Sequence, residues 1–186
     1  MPQITNITIR RAGIPDVAAI SVIGKRSFAA AFGHLFSNND ELSAYLDYTY
    51  APAKLLNSIS KENNLFFLAM NNRAPVGFTK LKIQSLNKQI SSLSQMELQK
   101  VYVLPEQQGS GAGSLLLKAV INLAKEKSPE YIWLDTHISN EKAILIYEKN
   151  GFKKIGKHLF TIGTQLFEYH VMALPIQEDN TTAINS

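Results

Sequence analysis

The chain has no cysteine among its 186 residues, which excludes disulfide bonds and thiolate metal sites. Its four histidines, His34, His137, His158 and His170, never stand at the close spacing of a zinc motif, so we expect no metal. No apolar run approaches the roughly 18 residues of a membrane-spanning helix, and the first residues lack the pattern of a signal peptide. These absences predict a cytoplasmic protein with no membrane partner.

The chain also lacks a strong excess of charge of one sign. Its formal net charge is +4, and its basic residues are interleaved with acidic ones. A nucleic-acid-binding protein usually clusters its lysines and arginines, so the sequence argues against nucleic acid as a partner. The 45% of hydrophobic and 18% of charged residues are typical of a globular domain. We predict one domain over residues 1–175 and a polar, disordered tail over residues 176–186.

Apolar periodicity and turn signals predict a mixture of strands and helices. Strands are expected at residues 4–11, 65–70, 76–83, 96–104, 131–136, 152–160 and 165–174. Helices are expected at residues 15–32, from about residue 39 to 49, and at residues 52–60, 111–127 and 141–149. This order of elements predicts a single α/β domain with a mixed sheet.

A glycine-rich turn stands between a predicted strand and a predicted amphipathic helix. It contains Gly109, Gly111 and Gly113. Glycines let backbone N–H groups approach a ligand closely, and the start of the helix adds unpaired donors and the positive end of its dipole. Together these features predict a site for a pyrophosphate that needs no lysine.

Two other interpretations of this turn stay open. A mere connector that binds nothing is one, although three glycines in five positions cost a connector chain entropy. A dinucleotide-binding turn is the other; it needs a glycine where Ser114 stands, although Asp135 ends the following strand at a suitable separation. A Walker loop is excluded because no Gly-Lys-Ser/Thr follows.

Two segments resemble motifs of the GNAT superfamily of N-acetyltransferases. Residues 108–113, Gln-Gly-Ser-Gly-Ala-Gly, resemble its coenzyme A motif Gln/Arg-x-x-Gly-x-Gly/Ala, and residues 140–152 resemble its motif Asn-x-x-Ala-x-x-x-Tyr-x-x-x-Gly-Phe. The resemblance implies a GNAT fold: a central mixed, mostly antiparallel twisted sheet flanked by helices, with a cofactor cleft between the fourth and fifth strands. It also implies acetyl-CoA as co-substrate.

The resemblance assigns a set of residues to the cofactor. They are Val101, Tyr102, Val103, Gln108, Gly109, Ser110, Gly111, Ala112, Gly113, Ser114, Asn140, Ala143, Tyr147 and Lys149. In the family the tyrosine protonates the departing thiolate, which implies Tyr147 as a catalytic residue; a phenol with a pKa of about 10 keeps the proton it must donate. The resemblance further implies that Asn140 contacts the pantetheine arm and that the Val103 N–H holds the thioester oxygen. Asn140, Ala143 and Tyr147 stand three and four apart and so share one helix face.

Glu97 is the second catalytic candidate. It stands eleven residues before Gln108, where histone-type members of the superfamily have their general base. Amines are mostly protonated at neutral pH, so a base must remove a proton before the amine attacks. Strand alternation predicts that one face holds Glu97, Gln99, Val101 and Val103, and that the other holds Leu98, Lys100 and Tyr102.

For the acceptor, the chain looks most similar to bacterial spermidine/spermine acetyltransferases of the PaiA type. The similar segments are residues 32–34, 97–104, 132–134 and 156–160, whereas residues 135–137 depart from the family's apolar strand end. The similarity implies a small-molecule amine acceptor, a polyamine. Acidic residues of the second helix, Asp40, Glu41 and Asp47, would suit it as partners, or they form an ordinary solvated helix face.

Other functions stay open from the sequence. The acceptor could instead be a protein N-terminus, a lysine or an amino sugar. The chain could also be a coenzyme A-binding regulator without turnover, and a homodimer is an open possibility for its assembly.

Overall fold

The computed structural model describes residues 6–176. Residues 4–5 of the first predicted strand and residues 177–186 of the predicted disordered tail lie outside the described residues. The strands are β1 Ile7–Arg11, β2 Asn64–Asn71, β3 Ala74–Ile83, β4 Gln95–Val103, β5 Tyr131–His137, β6 Lys153–Ile162 and β7 Gln165–Pro175. The helices are α1 Val17–Phe32, α2 Asn39–Thr49, α3 Pro52–Ile59, α4 Ala112–Lys127 and α5 Glu141–Lys149. Within residues 6–176, no helix combines the length and apolar character that crossing a bilayer requires.

The strands form one sheet in the order β1-β2-β3-β4-β5-β7-β6. Every neighbouring pair is antiparallel except β4 and β5, which run parallel. The two parallel strands pair only from Gln95 to Glu97, opposite Tyr131 to Trp133. Because the pairing stops there, β4 and β5 leave a gap at their C-terminal ends, as predicted for the fourth and fifth strands. The predicted fold class, a mixed and mostly antiparallel sheet flanked by helices, is confirmed.

Helices cover both faces of this sheet. The face under α1, α2 and α3 buries a cluster that includes Ile20, Phe28, Tyr50, Phe66 and Phe78. The face under α4 and α5 buries a second cluster that includes Met96, Leu98, Leu117, Ile132 and Phe152. Each such side chain contributes about 1.5–3 kcal/mol to folding when it leaves water. The second cluster joins the two strands that border the gap, because Met96 and Leu98 of β4 pack in it with Ile132 of β5.

A β-bulge interrupts β4 at Gln99. Lys80 of β3 faces Lys100, but the next residue, Leu81, faces Leu98, so Gln99 has no partner of its own on β3. A bulge of this kind places two residues opposite one and shifts the alternation of side chains.

The bulge changes which side chains share a face. Leu98 and Val101 both contact the cluster under α4, although residues three apart in an unbroken strand point to opposite faces. Glu97 stands between Met96 and Leu98, which are both buried under α4, and therefore points to the opposite face, where Tyr102 packs. The prediction that Glu97 and Gln99 share a face with Val101 and Val103 is wrong, because strict alternation holds only along an unbroken ladder.

Candidate active site

A cavity of about 600 Å³ lies where the end of β4, the glycine turn and α5 meet; we call it the glycine-turn cavity. Twelve of the fourteen predicted cofactor residues line it: Val101, Tyr102, Val103, Gln108, Gly109, Gly111, Ala112, Gly113, Ser114, Asn140, Ala143 and Tyr147. The other two, Ser110 and Lys149, are not among its lining residues. The Ser110 hydroxyl instead accepts a hydrogen bond from the Ala112 N–H at 3.4 Å, and Lys149 is exposed.

The turn itself needs its glycines for backbone conformation. Gly109 and Gly111 have φ of +83° and +88°, which residues with a side chain rarely adopt, whereas an added Cβ at either would meet no atom within 4 Å. The Leu115 N–H bonds the Gly111 carbonyl at 3.0 Å, so the N–H groups of the three preceding residues have no partner inside α4. The Ala112 N–H bonds the Ser110 hydroxyl, whereas the Gly113 and Ser114 N–H groups and the positive end of the helix dipole suit an anionic group such as a diphosphate.

The end of β4 offers a further backbone donor. The Leu104 N–H donates to the Val76 carbonyl at 2.9 Å, which commits it to β3. Backbone groups of successive strand residues point to opposite sides, so the Val103 N–H points toward the gap that β5 has left. The Val103 carbonyl, on that same side, accepts a hydrogen bond from the Ser27 hydroxyl of α1 at 3.0 Å. An N–H in this position can hold a carbonyl oxygen that gains negative charge.

Helix α5 presents its predicted face to the cavity. Asn140 is its N-cap, and its side-chain oxygen accepts from the Ala143 N–H at 3.3 Å. The chain leaves the helix at Gly151, whose φ is +91°. The ring of Phe152 then packs on that of Tyr147, with 5.8 Å between the two ring centres. Burial raises the pKa of Tyr147 to about 12, so its hydroxyl is protonated at neutral pH and can donate a proton.

A second cavity, of about 310 Å³, continues from the first; we call it the carboxylate cavity. The two cavities share the lining residues Phe32, Val101, Tyr102, Asn140 and Tyr147. The side chains that line only the carboxylate cavity include Phe28, Tyr45, Glu97, Lys100, Asp135, His137, His158, Phe160 and Tyr169. They come from six elements, α1, α2, β4, β5, β6 and β7. Tyr147 stands at the junction of the two cavities.

Glu97 is held in place by two donors. Its Oε2 accepts from the Ser85 hydroxyl at 2.6 Å and from the Gln99 side-chain amide at 2.9 Å. Both bonds fall on one oxygen and orient the carboxylate beside the cavity. The bulge residue Gln99 thereby positions the predicted base.

Lys100 is a cavity residue whose importance the sequence did not reveal. Burial, and after it the positive charge of Lys80 on β3, lowers the pKa of Lys100 to about 8. Its ammonium lies 5.3 Å from the centre of the Tyr50 ring and 5.7 Å from that of Tyr102. Aromatic faces attract a cation, so these rings offset part of the cost of burying it. The signal available in the sequence was a lysine between Leu98 and Tyr102 on one predicted strand face.

The remaining ionisable residues of the carboxylate cavity differ in their contacts. His158 Nδ1 lies 2.8 Å from Asp135 Oδ2. His137 is buried, and its Nδ1 accepts from the Ser139 N–H at 3.2 Å. Burial lowers the pKa of His137, which favours the neutral ring. His34 lines the glycine-turn cavity.

The acidic residues of α2 do not line the carboxylate cavity, which favours the solvated helix face of the two alternatives. Asp47 forms an ion pair with Lys25 at 2.7 Å, and Glu41 accepts hydrogen bonds from the hydroxyl and the N–H of Thr164. The helix turns Tyr45 toward the cavity instead. The carboxylates that line it are Glu97 and Asp135, because they stand on the strands that border the gap.

Comparisons with known proteins agree with this geometry. The model of the Acetyltransferase (GNAT) family matches residues 30–152, more than half of the chain. An uncharacterized N-acetyltransferase from Lactobacillus delbrueckii subsp. lactis is 23% identical over 159 residues, which are 86% of this chain and 91% of the relative.

Solved structures resemble the fold over nearly its whole length. The PaiA N-acetyltransferase from Thermoplasma acidophilum, solved in complex with coenzyme A, is 25% identical with a TM-score of 0.75 and covers 91% of this chain and 99% of its own. The ribosomal-protein-S18-alanine N-acetyltransferase from Escherichia coli is 21% identical with a TM-score of 0.69, covering 95% and 97%. The family model, together with the glycine turn and the α5 face described above, shows that the chain belongs to the acetyltransferase (GNAT) family.

Proposed function

We propose that this protein transfers the acetyl group of acetyl-CoA to a primary amine by direct attack of the amine on the thioester. The observation that supports this most is the position of Tyr147 where the two cavities join. One cavity offers backbone donors to a diphosphate, and the other offers ionisable side chains to an amine. The chain has no cysteine, so a thiol cannot form an acyl-enzyme, and direct transfer needs none.

The glycine-turn cavity fits coenzyme A as co-substrate. The diphosphate would lie against the turn from Gly109 to Gly113 and the first N–H groups of α4. The backbone of Val101 and Val103, which β5 leaves unpaired, would bond the pantetheine amides as a neighbouring strand would. The coenzyme A bound to the similar PaiA structure supports this choice of ligand.

The proposed chemistry uses three groups of the chain. Glu97 accepts a proton from the ammonium acceptor, directly or through a water, and so frees the lone pair of the amine. The Val103 N–H stabilises the negative charge that develops on the thioester oxygen during the attack. Tyr147 donates its proton to the sulfur as the carbon–sulfur bond breaks. Holding both substrates at this junction supplies much of the acceleration.

A polyamine is the first acceptor we propose. Glu97 and Asp135 give the carboxylate cavity two carboxylates, and the rings of Phe160 and Tyr169 offer aromatic faces to a cation. The PaiA structural neighbour supports the same choice. The positive charge of Lys100 repels a cation near it, so we place the acceptor away from Lys100 in this cavity. A second candidate is the α-amine of a protein N-terminus, favoured by the resemblance to the S18-alanine acetyltransferase.

An acceptor screen tests this proposal. Release of free thiol from acetyl-CoA is measured with spermidine, spermine, lysine and a short peptide as acceptors. We expect release with at least one amine and, by calorimetry, binding of coenzyme A. Binding without release from any amine would favour a coenzyme A-binding regulator. A preference for a nicotinamide dinucleotide over coenzyme A would overturn the assignment.

A cytoplasmic location and a homodimer stay predictions of the sequence. Cell fractionation tests the first. Light scattering of the purified protein tests the second.

A further inference from the structure

The Asp135–His158 pair has no part in the chemistry proposed above. Asp135 is on β5 and His158 is on β6, and β7 lies between these strands. The two side chains therefore reach across β7 to form their 2.8 Å bond, on the sheet face that borders the carboxylate cavity. His158 keeps 51% of its side chain exposed, so its ring is open to a molecule that enters the cavity.

The bond to Asp135 determines where the proton of the neutral His158 ring lies. A carboxylate oxygen only accepts, so the neutral ring carries its proton on Nδ1. Nε2 then has a free lone pair, and within residues 6–176 no hydrogen bond claims it. His137 in the same cavity has the opposite arrangement, because its Nδ1 accepts from the Ser139 N–H. Of the two cavity histidines, His158 is the one that offers a basic Nε2.

Asp135 is also placed to stabilise a charged ring. Its Oδ1 is buried, and no donor among the described residues reaches it. The titratable groups that line the same cavity are Tyr45 on α2, Glu97, Lys100 and Tyr102 on β4, His137 on β5, Tyr147 on α5 and Tyr169 on β7.

We propose that Asp135 and His158 form a catalytic dyad for the acetyl transfer, in which His158 Nε2 accepts a proton from the acceptor nitrogen. The dyad rests on the function proposed above. A nucleophilic nitrogen held near a base that is itself oriented by a third group is the arrangement used in catalytic triads. Asp135 fixes the tautomer and orientation of the ring, and it stabilises the imidazolium.

The number of protons that the acceptor loses in the reaction is consistent with two bases. An ammonium acceptor loses two protons as it becomes an amide. Glu97 accepts one and His158 accepts the other, while the new carbon–nitrogen bond forms and the carbon–sulfur bond breaks. Tyr147 gives its own proton to sulfur and is reprotonated through solvent by one of the two bases. The other base releases its proton to solvent, so one proton leaves overall.

The variant His158→Asn separates the base from the cross-strand tie. An asparagine amide nitrogen lies near the position of Nδ1 and keeps a donor for Asp135, but it has no counterpart of Nε2. His170→Asn is the matched control, since His170 is on β7 and lines neither cavity. We expect His158→Asn to lower kcat roughly 10²-fold at pH 7, whereas its melting temperature should equal that of the His170→Asn control. The pH dependence of the rate should also change in this variant, because it lacks the proposed base, and it should stay as in the wild type in the control.

Asp135→Asn and a direct view of the ring complete the test. Asp135→Asn should lower kcat less than His158→Asn, because the base remains but its tautomer is no longer fixed. Nitrogen-15 NMR of the wild-type ring should show the proton on Nδ1 at pH 8. An active wild type with an unimpaired His158→Asn variant, or a ring protonated on Nε2, overturns the dyad alone. A wild type that releases no thiol with any amine overturns the proposed function, and the base role with it.

Discussion

The glycine-turn cavity and the carboxylate cavity meet at Tyr147 but are built in different ways. The first draws most of its lining from two short stretches, residues 101–117 and 139–147, and its main donors are backbone N–H groups. The second is lined by residues of seven helices and strands, with the longest stretch, Glu97 to Tyr102, coming from β4. A ligand held by backbone depends on conformation, whereas a ligand held by side chains depends on which residues stand at each position. Substitutions should therefore act differently in the two cavities.

The largest effect is expected from Tyr147→Phe, at the junction. Removing the hydroxyl removes the proposed proton donor but little of the packing, so kcat should fall about 10²- to 10⁴-fold while the affinity for coenzyme A stays unchanged. Steady-state kinetics and calorimetry measure the two quantities. Tyr48→Phe, whose ring is 70% exposed, is the control. An unchanged kcat would remove Tyr147 from its role.

Glu97→Gln should lower kcat by up to roughly 10²-fold at pH 7, and the affinity for coenzyme A should stay unchanged because Glu97 lines only the carboxylate cavity. The deficit should shrink as pH rises, because solvent then deprotonates the amine without help. A pH–rate profile checks this. Glu106→Gln serves as the control, since Glu106 pairs with Arg26 on the surface. A deficit that does not change with pH would show that Glu97 acts in some other way than as a base.

Gly111→Ala tests the dependence of the other cavity on backbone conformation. With φ at +88°, an alanine costs about 1–3 kcal/mol even though its methyl group meets nothing. We expect the dissociation constant of coenzyme A to rise roughly tenfold, with the KM of the acceptor unchanged. Gly13→Ala is the matched control, because its φ is −136°. Equal coenzyme A affinity in both variants would argue against a role for this turn in binding.

Lys100→Met should have the smallest effect, and it should stabilise the protein. The fold lowers the pKa of Lys100 to about 8, so below that pH the folded state holds a charge it disfavours. This cost is full at pH 7 and disappears as pH rises from about 8 to about 10.5. Removing the charge should add about 1 kcal/mol, or roughly 2–4 °C in melting temperature at pH 7. Lys118→Met on α4 is the exposed control, and a gain that persists at pH 11 would show that the buried charge is not its cause.

The sequence predicted the glycine-turn cavity better than the carboxylate cavity for a physical reason. Positive-φ glycines, a helix start and a helix face are local features, readable within a few residues. Twelve of the fourteen predicted residues accordingly line the cavity. The exceptions are Ser110, whose hydroxyl bonds the Ala112 N–H within the turn, and Lys149, whose long side chain is exposed.

The carboxylate cavity could not be read in this way. Asp135 and His158 are 23 residues apart and meet only because β7 enters between their strands. The acidic residues of α2 were expected there because of their charge, yet Asp47 and Glu41 have surface partners. The bulge at Gln99 likewise depends on the register between two strands and leaves no local pattern.

The bulge in β4 has a consequence for how an acceptor preference could change. The alternation of side chains between the two sheet faces is shifted at Gln99. The sequence of the strand before Gln99 can therefore change while the residues after it keep the faces to which their side chains point. Exchange of Glu97 for a different residue would leave the direction of the Val103 N–H unchanged, and with it the contact that we propose to the thioester oxygen. The bulge at Gln99 thus separates the part of β4 proposed to contact the amine from the part proposed to contact acetyl-CoA, so the first can change without the second.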